Sequence, residues 1–206
     1  MDKGIEHYCE NFIILPVSCM SKLYLLFLRN DLDEIIDFLL SRPKNIDKLV
    51  SPEVYENLLI SAIERERIDI VIILMELGCN VNFQDKYGNS PLHICCRKNN
   101  INKDILERLV NAGANGLLKT EDGYTALHYA ALFTQDVDII RILIPISDPN
   151  TVNRCKNTPL TLACINNKNI EIIKILIGVT NDINTKNNMG ITGLHWLCIR
   201  NKHDML

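Results

Sequence analysis

Histidines and cysteines that lie close together are the residues of this chain best suited to chemistry. His93 is followed by Cys95 and Cys96, and His195 is followed by Cys198. Imidazole and thiolate groups could together hold a metal ion or form a nucleophile pair. However, a metal site needs convergent ligands at characteristic spacing, and no Cys-x-x-Cys pair occurs in the sequence. We therefore expect no metal site, and we interpret these residues as packing and hydrogen-bonding groups.

Other patterns that carry enzyme chemistry are also missing from the sequence. It shows no glycine-rich phosphate loop, no paired carboxylate motif and no Ser/His/Asp arrangement. The net charge of −3 gives no electrostatic reason to expect nucleic acid or an anionic membrane as a partner. We expect a non-enzymatic protein that uses no cofactor and no small-molecule substrate.

The sequence around the histidines recurs at a nearly constant interval. Segments 89–96, 124–131, 157–164 and 191–198 align without gaps, and the leucines at their fourth position are separated by 35, 33 and 34 residues. A period near 33 residues that carries the pattern T-P-L-H-x-A is the signature of ankyrin repeats. On these segments the chain resembles the ankyrin-repeat family.

The resemblance implies an all-α solenoid of helix-turn-helix units joined by β-hairpin-like fingers, with about five full repeats and a partial sixth. Residues 1–18 are expected to form an arm or cap, and residues 19–206 the repeat domain. Within that domain the expected repeats are 19–50 and 52–84, which are degenerate, then 85–119, 120–152 and 153–186, and the partial repeat 187–206.

The repeated residue types have individual physical roles. Ser90 and its threonine counterparts can cap the first turn of a helix, and Pro91 suits an early helical position. Gly88 and its counterparts supply the backbone freedom of a tight fingertip. The third copy has Lys156 at that place, so we expect a strained tip there. Each histidine is expected to bond the hydroxyl three residues earlier and the neighbouring finger.

The cysteines and the N-terminal part indicate the compartment. Four of the eight cysteines fall on small-residue positions of the repeat, so their placement follows packing, and a reducing cytoplasm is expected. The apolar run 12–28 follows an acidic leader and contains Pro16 and Lys22, which argues against an export signal or a membrane span. We expect it to cap the first repeat. Entry into the nucleus is left open.

Segments 85–93, 138–145 and 157–164, together with the abundance of Ile, Asn and Lys, resemble the ankyrin proteins of poxviruses. That resemblance implies binding of host regulatory proteins that modulates host range or innate immunity. Members often carry a C-terminal F-box-like segment that recruits a ubiquitin ligase. No such segment is recognised here, so ligase recruitment is in doubt. The alternative interpretation is a truncated remnant of a longer protein with little activity of its own.

Variable positions of the repeat are the candidate partner-binding residues. Two groups are expected to face solvent, one at the fingertips and one after the small pair of each first helix, on the concave face. The candidates are Lys86, Tyr87, Glu121 and Asp122 at the fingertips, and Arg97, Lys98, Leu132, Phe133, Ile165 and Ile199 after the small pairs. The last four are expected to form an apolar stripe, unless Phe133 turns into the core or another segment covers the stripe.

Overall fold

Helix pairs alternate with short fingers along the chain. A computed structural model describes residues 52–203, with side chains described from 55 to 200. The helices of this part are α1 (Pro52–Glu64), α2 (Ile68–Glu76), α3 (Pro91–Cys96), α4 (Lys103–Asn111), α5 (Ala126–Phe133), α6 (Val137–Leu143), α7 (Pro159–Asn166), α8 (Ile170–Val179) and α9 (Gly193–His203). The described residues contain no β-strand, so the expected all-α class is confirmed.

The inner helices, α3, α5, α7 and α9, begin where the repeated motif places a hydroxyl residue. Ser90, Thr125 and Thr158 have extended backbones just before the first turn, and the Thr158 hydroxyl accepts from the Thr161 amide at 3.1 Å. Pro91 and Pro159 occupy the first helical position, where an amide N–H would have no intrahelical partner. The motif therefore fixes the start of each inner helix.

The outer helices α4, α6 and α8 begin at side chains that the repeat signature did not single out. Asn102, Asp136 and Asn169 stand at their N-caps, and each side-chain oxygen accepts from an amide of the first turn. Pro145 ends the regular part of α6, which continues only as a short 3-10 helix, Ile144–Ile146.

Like helices stack on like helices. Inner helices α3, α5, α7 and α9 contact one another in succession, and so do outer helices α2, α4, α6 and α8. The repeated leucines Leu92, Leu127 and Leu160 lie buried between the stacked pairs. The small residues of the inner helices are buried too, which allows the close approach of neighbouring helices. The core is therefore a continuous layer that passes from one repeat to the next.

The last described repeat differs from the others. Leu194, the counterpart of buried Leu127, is 66% exposed, and Cys198 is exposed as well. The sequence pattern placed both at packing positions. They are exposed because no further helix pair packs on this side within the described residues.

Several expectations lie outside the described residues. These are the N-terminal arm 1–18, the degenerate repeat 19–50 and the capping role of the apolar run 12–28. Within residues 52–203, no helix is long and apolar enough to cross a membrane.

Candidate functional site

Each fingertip is hydrogen-bonded to the fingertip of the preceding repeat. The Tyr87 carbonyl accepts from the Glu121 amide at 2.9 Å, the Asp122 carbonyl from the Arg154 amide at 2.9 Å, and the Cys155 carbonyl from the Asn188 amide at 3.0 Å. These bonds hold consecutive tips side by side. Their side chains consequently form one surface rather than separate loops.

At one residue of the tip the backbone is left-handed and the next finger lies very close. Gly88 and Gly123 have φ of +76° and +80°, and a Cβ on either would lie 3.0–3.1 Å from backbone atoms of the next finger. Lys156 adopts φ of 58° at the equivalent place, where a side chain is disfavoured. The strain expected from the sequence at this tip is therefore present.

The buried histidines connect each inner helix to the next finger. Ser90 Oγ lies 2.7 Å from His93 Nδ1, and His93 Nε2 lies 3.0 Å from the Leu118 carbonyl. His128 repeats the pattern, with Thr125 Oγ1 at 2.8 Å and the Asn157 carbonyl at 3.1 Å. Nε2 must carry the proton in both, because its partners are carbonyl oxygens and Nδ1 accepts from a backbone amide.

Burial makes these histidines poor proton carriers. It lowers the pKa of His128 to about 4, against the opposing effect of its carbonyl bond to Asn157, and it lowers the pKa of His93 in the same way. Both rings are neutral at physiological pH. We find them to be structural groups, as the sequence predicted.

The buried thiols are equally unsuited to chemistry. Burial raises the pKa of Cys95 to about 12 and that of Cys164 to about 11, and it raises the pKa of Cys96 well above its ordinary value. A thiol with so high a pKa is almost entirely protonated at neutral pH, and the thiolate is the form that acts as a nucleophile. No group of three or more His, Cys, Asp or Glu side chains among the described residues could hold a metal ion.

The fingertip candidates are exposed side chains. Tyr87 is 50% exposed with the Lys86 ammonium 5.2 Å from its ring centre, and Glu121 and Asp122 are both exposed. Arg154 Nη1 lies 3.5 Å from Asp122 Oδ1, and both side chains of this pair are largely in solvent. Such an ion pair contributes little to stability and is readily exchanged for another partner.

The polar residues near the ends of the inner helices form hydrogen bonds to the preceding repeat. Lys98 Nζ donates to the Glu64 carbonyl at 2.6 Å and pairs with Glu66 at 3.2 Å. At the equivalent position, Asn166 donates to the Leu132 carbonyl at 3.0 Å and Arg200 to the Asn167 carbonyl at 2.6 Å. Each side chain satisfies a carbonyl left free by the preceding inner helix or the loop after it.

Of the candidate binding residues, Lys98 is therefore already hydrogen-bonded to the preceding repeat. Arg97 is exposed and lies 3.6 Å from Glu64, a loose surface pair. Phe133 occupies the same repeat position as Lys98 and has no donor to offer to the preceding helix. The binding roles of Arg97, Lys98 and Phe133 remain predictions.

The expected apolar stripe is only partly open. Leu132, Phe133 and Ile165 are half-buried, whereas Ile199 is 43% exposed. Stacking within each repeat covers part of the first three side chains, which sequence spacing does not show. These three side chains are therefore less exposed than the sequence predicted, and the apolar stripe is narrower.

The structure also reveals an aromatic row, formed by Tyr124, Tyr129 and Phe133, that sequence reasoning missed. The ring centres of Tyr124 and Tyr129 are 5.1 Å apart and those of Tyr129 and Phe133 are 6.5 Å apart, with interplanar angles of 24° and 10°. His93 meets Tyr129 edge-on at 6.1 Å. All three rings of the row are half-buried, so part of each is open to solvent.

A sequence signal for this row existed at Tyr129. Its counterparts Ile94 and Leu162 are aliphatic and buried, whereas Tyr129 and Trp196 are the aromatic residues at this repeat position. Partial burial raises the pKa of both tyrosine hydroxyls, and the Asp122 carboxylate acts in the same direction on each. The phenols are therefore uncharged at neutral pH, and Asp122 lies close enough to influence both.

Stacked helix pairs and hydrogen-bonded fingertips define a helical repeat protein. A family model described as ankyrin repeats (3 copies) matches residues 23–117, 59–153, 98–187 and 127–206. The chain belongs to the ankyrin-repeat family, whose members are generally non-enzymatic modules for protein interaction.

Curated relatives include poxvirus proteins. A putative ankyrin repeat protein of fowlpox virus is 33% identical over 137 residues, which is 64% of this chain and 39% of the relative. The inhibitor of apoptosis OPG037 of variola virus is 28% identical over 151 residues, or 73% of this chain and 33% of the relative. The human 2-5A-dependent ribonuclease is 39% identical over 77 residues, which is 37% of this chain and 10% of the relative. The matched part thus spans less than half of each of these relatives.

Proposed function

We propose that this chain is a host-directed binding protein of the poxvirus ankyrin type. It holds a host regulatory protein on the surface formed by the fingertips and the inner helices, in the cytoplasm of the infected cell, and thereby modulates host range or innate immunity. The mechanism is steric capture without catalysis.

Phe133 carries this proposal. Its repeat counterparts Lys98, Asn166 and Arg200 all bond a carbonyl of the preceding inner helix or its loop, whereas Phe133 makes its described ring contact with Tyr129 alone. An apolar ring therefore stands where the other repeats have a hydrogen-bond donor, and part of its surface is open to solvent. Aromatic side chains in such positions are enriched among residues that dominate binding energy.

The relatives support the same class of function. The variola virus relative is named an inhibitor of apoptosis, and this name supports a target among regulators of the host cell. The chemistry of the buried groups supports the non-enzymatic part of the proposal, because the buried histidines are neutral and the buried thiols have raised pKa values.

The test is affinity purification of the tagged chain from mammalian cells, followed by mass spectrometry, with wild type beside Phe133→Asp. We expect a host protein that the wild type retains and the variant loses. Ile177→Asp is the matched control, because Ile177 is an exposed apolar residue on outer helix α8. Circular dichroism and thermal unfolding of all three proteins show whether they fold alike.

Two results would refute the proposal. Retention of the same host proteins by wild type and Phe133→Asp would remove Phe133 from the binding surface. Absence of any specific host protein with the folded wild type would favour the alternative that the chain has little independent activity.

A further inference from the structure

The charged side chains around the aromatic row differ in how far they are already bound within the protein. Asp85, Asp122 and Arg97 are the charged groups that act on the Tyr129 hydroxyl. Asp85 is occupied, since its carboxylate accepts from the amides of Tyr87 and Asn89 and from the Asn89 side chain. Asp122 is the carboxylate of this group that remains largely in solvent.

Two arginines lie near the row, and Arg97 lowers the pKa of the Tyr129 hydroxyl whereas Asp122 raises it. Arg97 pairs loosely with Glu64. Arg154 reaches Asp122 only at 3.5 Å with both side chains about 70% exposed. Glu121, next to Asp122 at the same tip, is exposed and has no hydrogen bond or ion pair from its side chain among the described residues. The tip beside the row therefore offers two carboxylates that can accept a cation from outside.

Aromatic faces attract the same kind of group. The ring quadrupole places negative potential over each face, and a guanidinium or ammonium gains from lying against it. The chain already shows both contacts separately, with Lys86 over the Tyr87 ring and Arg154 toward Asp122. At the aromatic row the two effects act together, because Asp122 lies two residues before Tyr124 on the same finger and the Tyr124 ring stacks on Tyr129 at 5.1 Å.

We propose that the aromatic row, with Asp122 and Glu121 at its fingertip end, recognises a basic apolar segment of a protein partner. An arginine of that segment lies along Tyr124 and Tyr129 with its guanidinium at the Asp122 carboxylate, and an apolar side chain contacts Phe133. The two carboxylates repel phosphate groups, so a nucleic acid does not fit this surface. This inference rests on the proposed function and specifies the chemistry of the partner.

Two labelled peptides test the inference. They have twelve residues and identical leucine and glycine positions, and they carry arginine or glutamate at the remaining places. Fluorescence anisotropy with the full chain should give binding of the arginine peptide at least about tenfold tighter than that of the glutamate peptide. Equal binding of the two peptides would overturn the inference.

Variants localise the effect. The double variant Glu121→Gln with Asp122→Asn should lose most of the tenfold preference. Glu107→Gln with Glu171→Gln changes the net charge equally at exposed sites on outer helices, and it should keep the preference. An equal loss in both double variants would reduce the preference to net charge and contradict the proposed surface.

A third variant tests the rings. Tyr129→Leu should weaken binding of the arginine peptide severalfold while the protein stays folded, because Leu162 and Ile94 occupy the same repeat position. Unchanged affinity in this folded variant would exclude the aromatic row.

The two proposals can fail separately. If the chain captures a host protein through Phe133 but prefers neither peptide, the proposed function stands and the basic segment is wrong. If the arginine peptide binds at Asp122 and Tyr129 but no host protein is lost with Phe133→Asp, the surface is real and the proposed use of Phe133 is wrong.

Discussion

The Nε2 atom of His128 lies 3.1 Å from the Asn157 carbonyl oxygen, one residue before the threonine that caps the next inner helix. A single neutral side chain thus joins the first turn of α5 to the finger of the following repeat. Protonation would place a hydrogen on Nδ1, where the Thr125 amide already donates at 3.1 Å. Protonation therefore removes the acceptor of the Thr125 amide, whereas Nε2 can still donate to the Asn157 carbonyl.

Stability should fall with acid in a window set by His128. Its folded pKa of about 4 lies below the value near 6.5 of an exposed histidine, so the unfolded chain binds the proton more tightly. The stabilisation by the neutral ring is complete above about pH 6.5 and is lost as the pH falls toward 4. We expect the free energy of unfolding to decrease by up to about 1.4 kcal/mol per pH unit from this group.

The repeat at residues 153–186 supplies the matched variant for this prediction. Thr161 replaces the histidine there, and its hydroxyl lies 3.1 Å from that of Thr158. Urea unfolding of wild type and His128→Thr at pH 7.5 and pH 5.0 should show that the wild type loses about 2 kcal/mol more between the two values. Parallel losses in both proteins would mean that His128 is not the group responsible.

Leu127 and Leu194 occupy the same repeat position in different surroundings. Leu127 is fully buried, so Leu127→Ala should lower the free energy of unfolding by about 2–5 kcal/mol through lost contacts and the cavity left behind. Leu194→Ala should change it by less than about 1 kcal/mol, because that side chain is mostly exposed. Chemical denaturation of the two variants measures the difference, and similar losses would contradict the buried position of Leu127.

Lys156 should limit stability through its backbone. Replacing it with glycine removes the side chain from a left-handed conformation, and we expect a gain of about 0.5–1 kcal/mol. Lys156→Ala is the control, since it removes the charge but keeps the Cβ atom and should give no gain. If alanine stabilises the protein as much as glycine, charge rather than backbone strain is the cause.

Thiol labelling should separate the described cysteines into two classes. Cys155 and Cys198 are exposed, whereas Cys95 and Cys96 are buried and have raised pKa values. Iodoacetamide at pH 8, followed by peptide mass spectrometry, should modify Cys155 and Cys198 in the native protein and the buried pair only after unfolding. Rapid native labelling of Cys96 would show that the stack opens around α3.

The inner helices could be predicted from sequence because their determinants are local. Ser90, Pro91 and their counterparts set the helix start within a few residues, and the leucines repeat at the period of the stack. The strain at Lys156 was predictable for the same reason, since a lysine stands where the other fingers have glycine. Such features require no knowledge of how one repeat sits on the next.

The binding surface was harder to predict, because its parts come from different repeats. Whether Lys98 is free depends on the end of α1 in the preceding repeat, and Tyr129 is partly covered by His93 of the preceding repeat. The fingertip candidates are observed exposed because tips have few neighbours. The stripe positions are half-buried because adjacent inner helices pack closely.

The amide-to-carbonyl bonds between consecutive fingertips join neighbouring repeats in the same way each time. The number of repeats in such a chain can therefore change. Excising residues 120–152 would join Lys119 to Asn153 and bring the Arg154 amide to the Tyr87 carbonyl, which the Glu121 amide now occupies. The junction would keep the register of the fingertip bonds, and α3 and α4 would then meet α7 and α8 in place of α5 and α6. A gene for such a chain can gain or lose whole units by recombination while the rest of the protein keeps its fold, so that copy number is open to rapid evolutionary change.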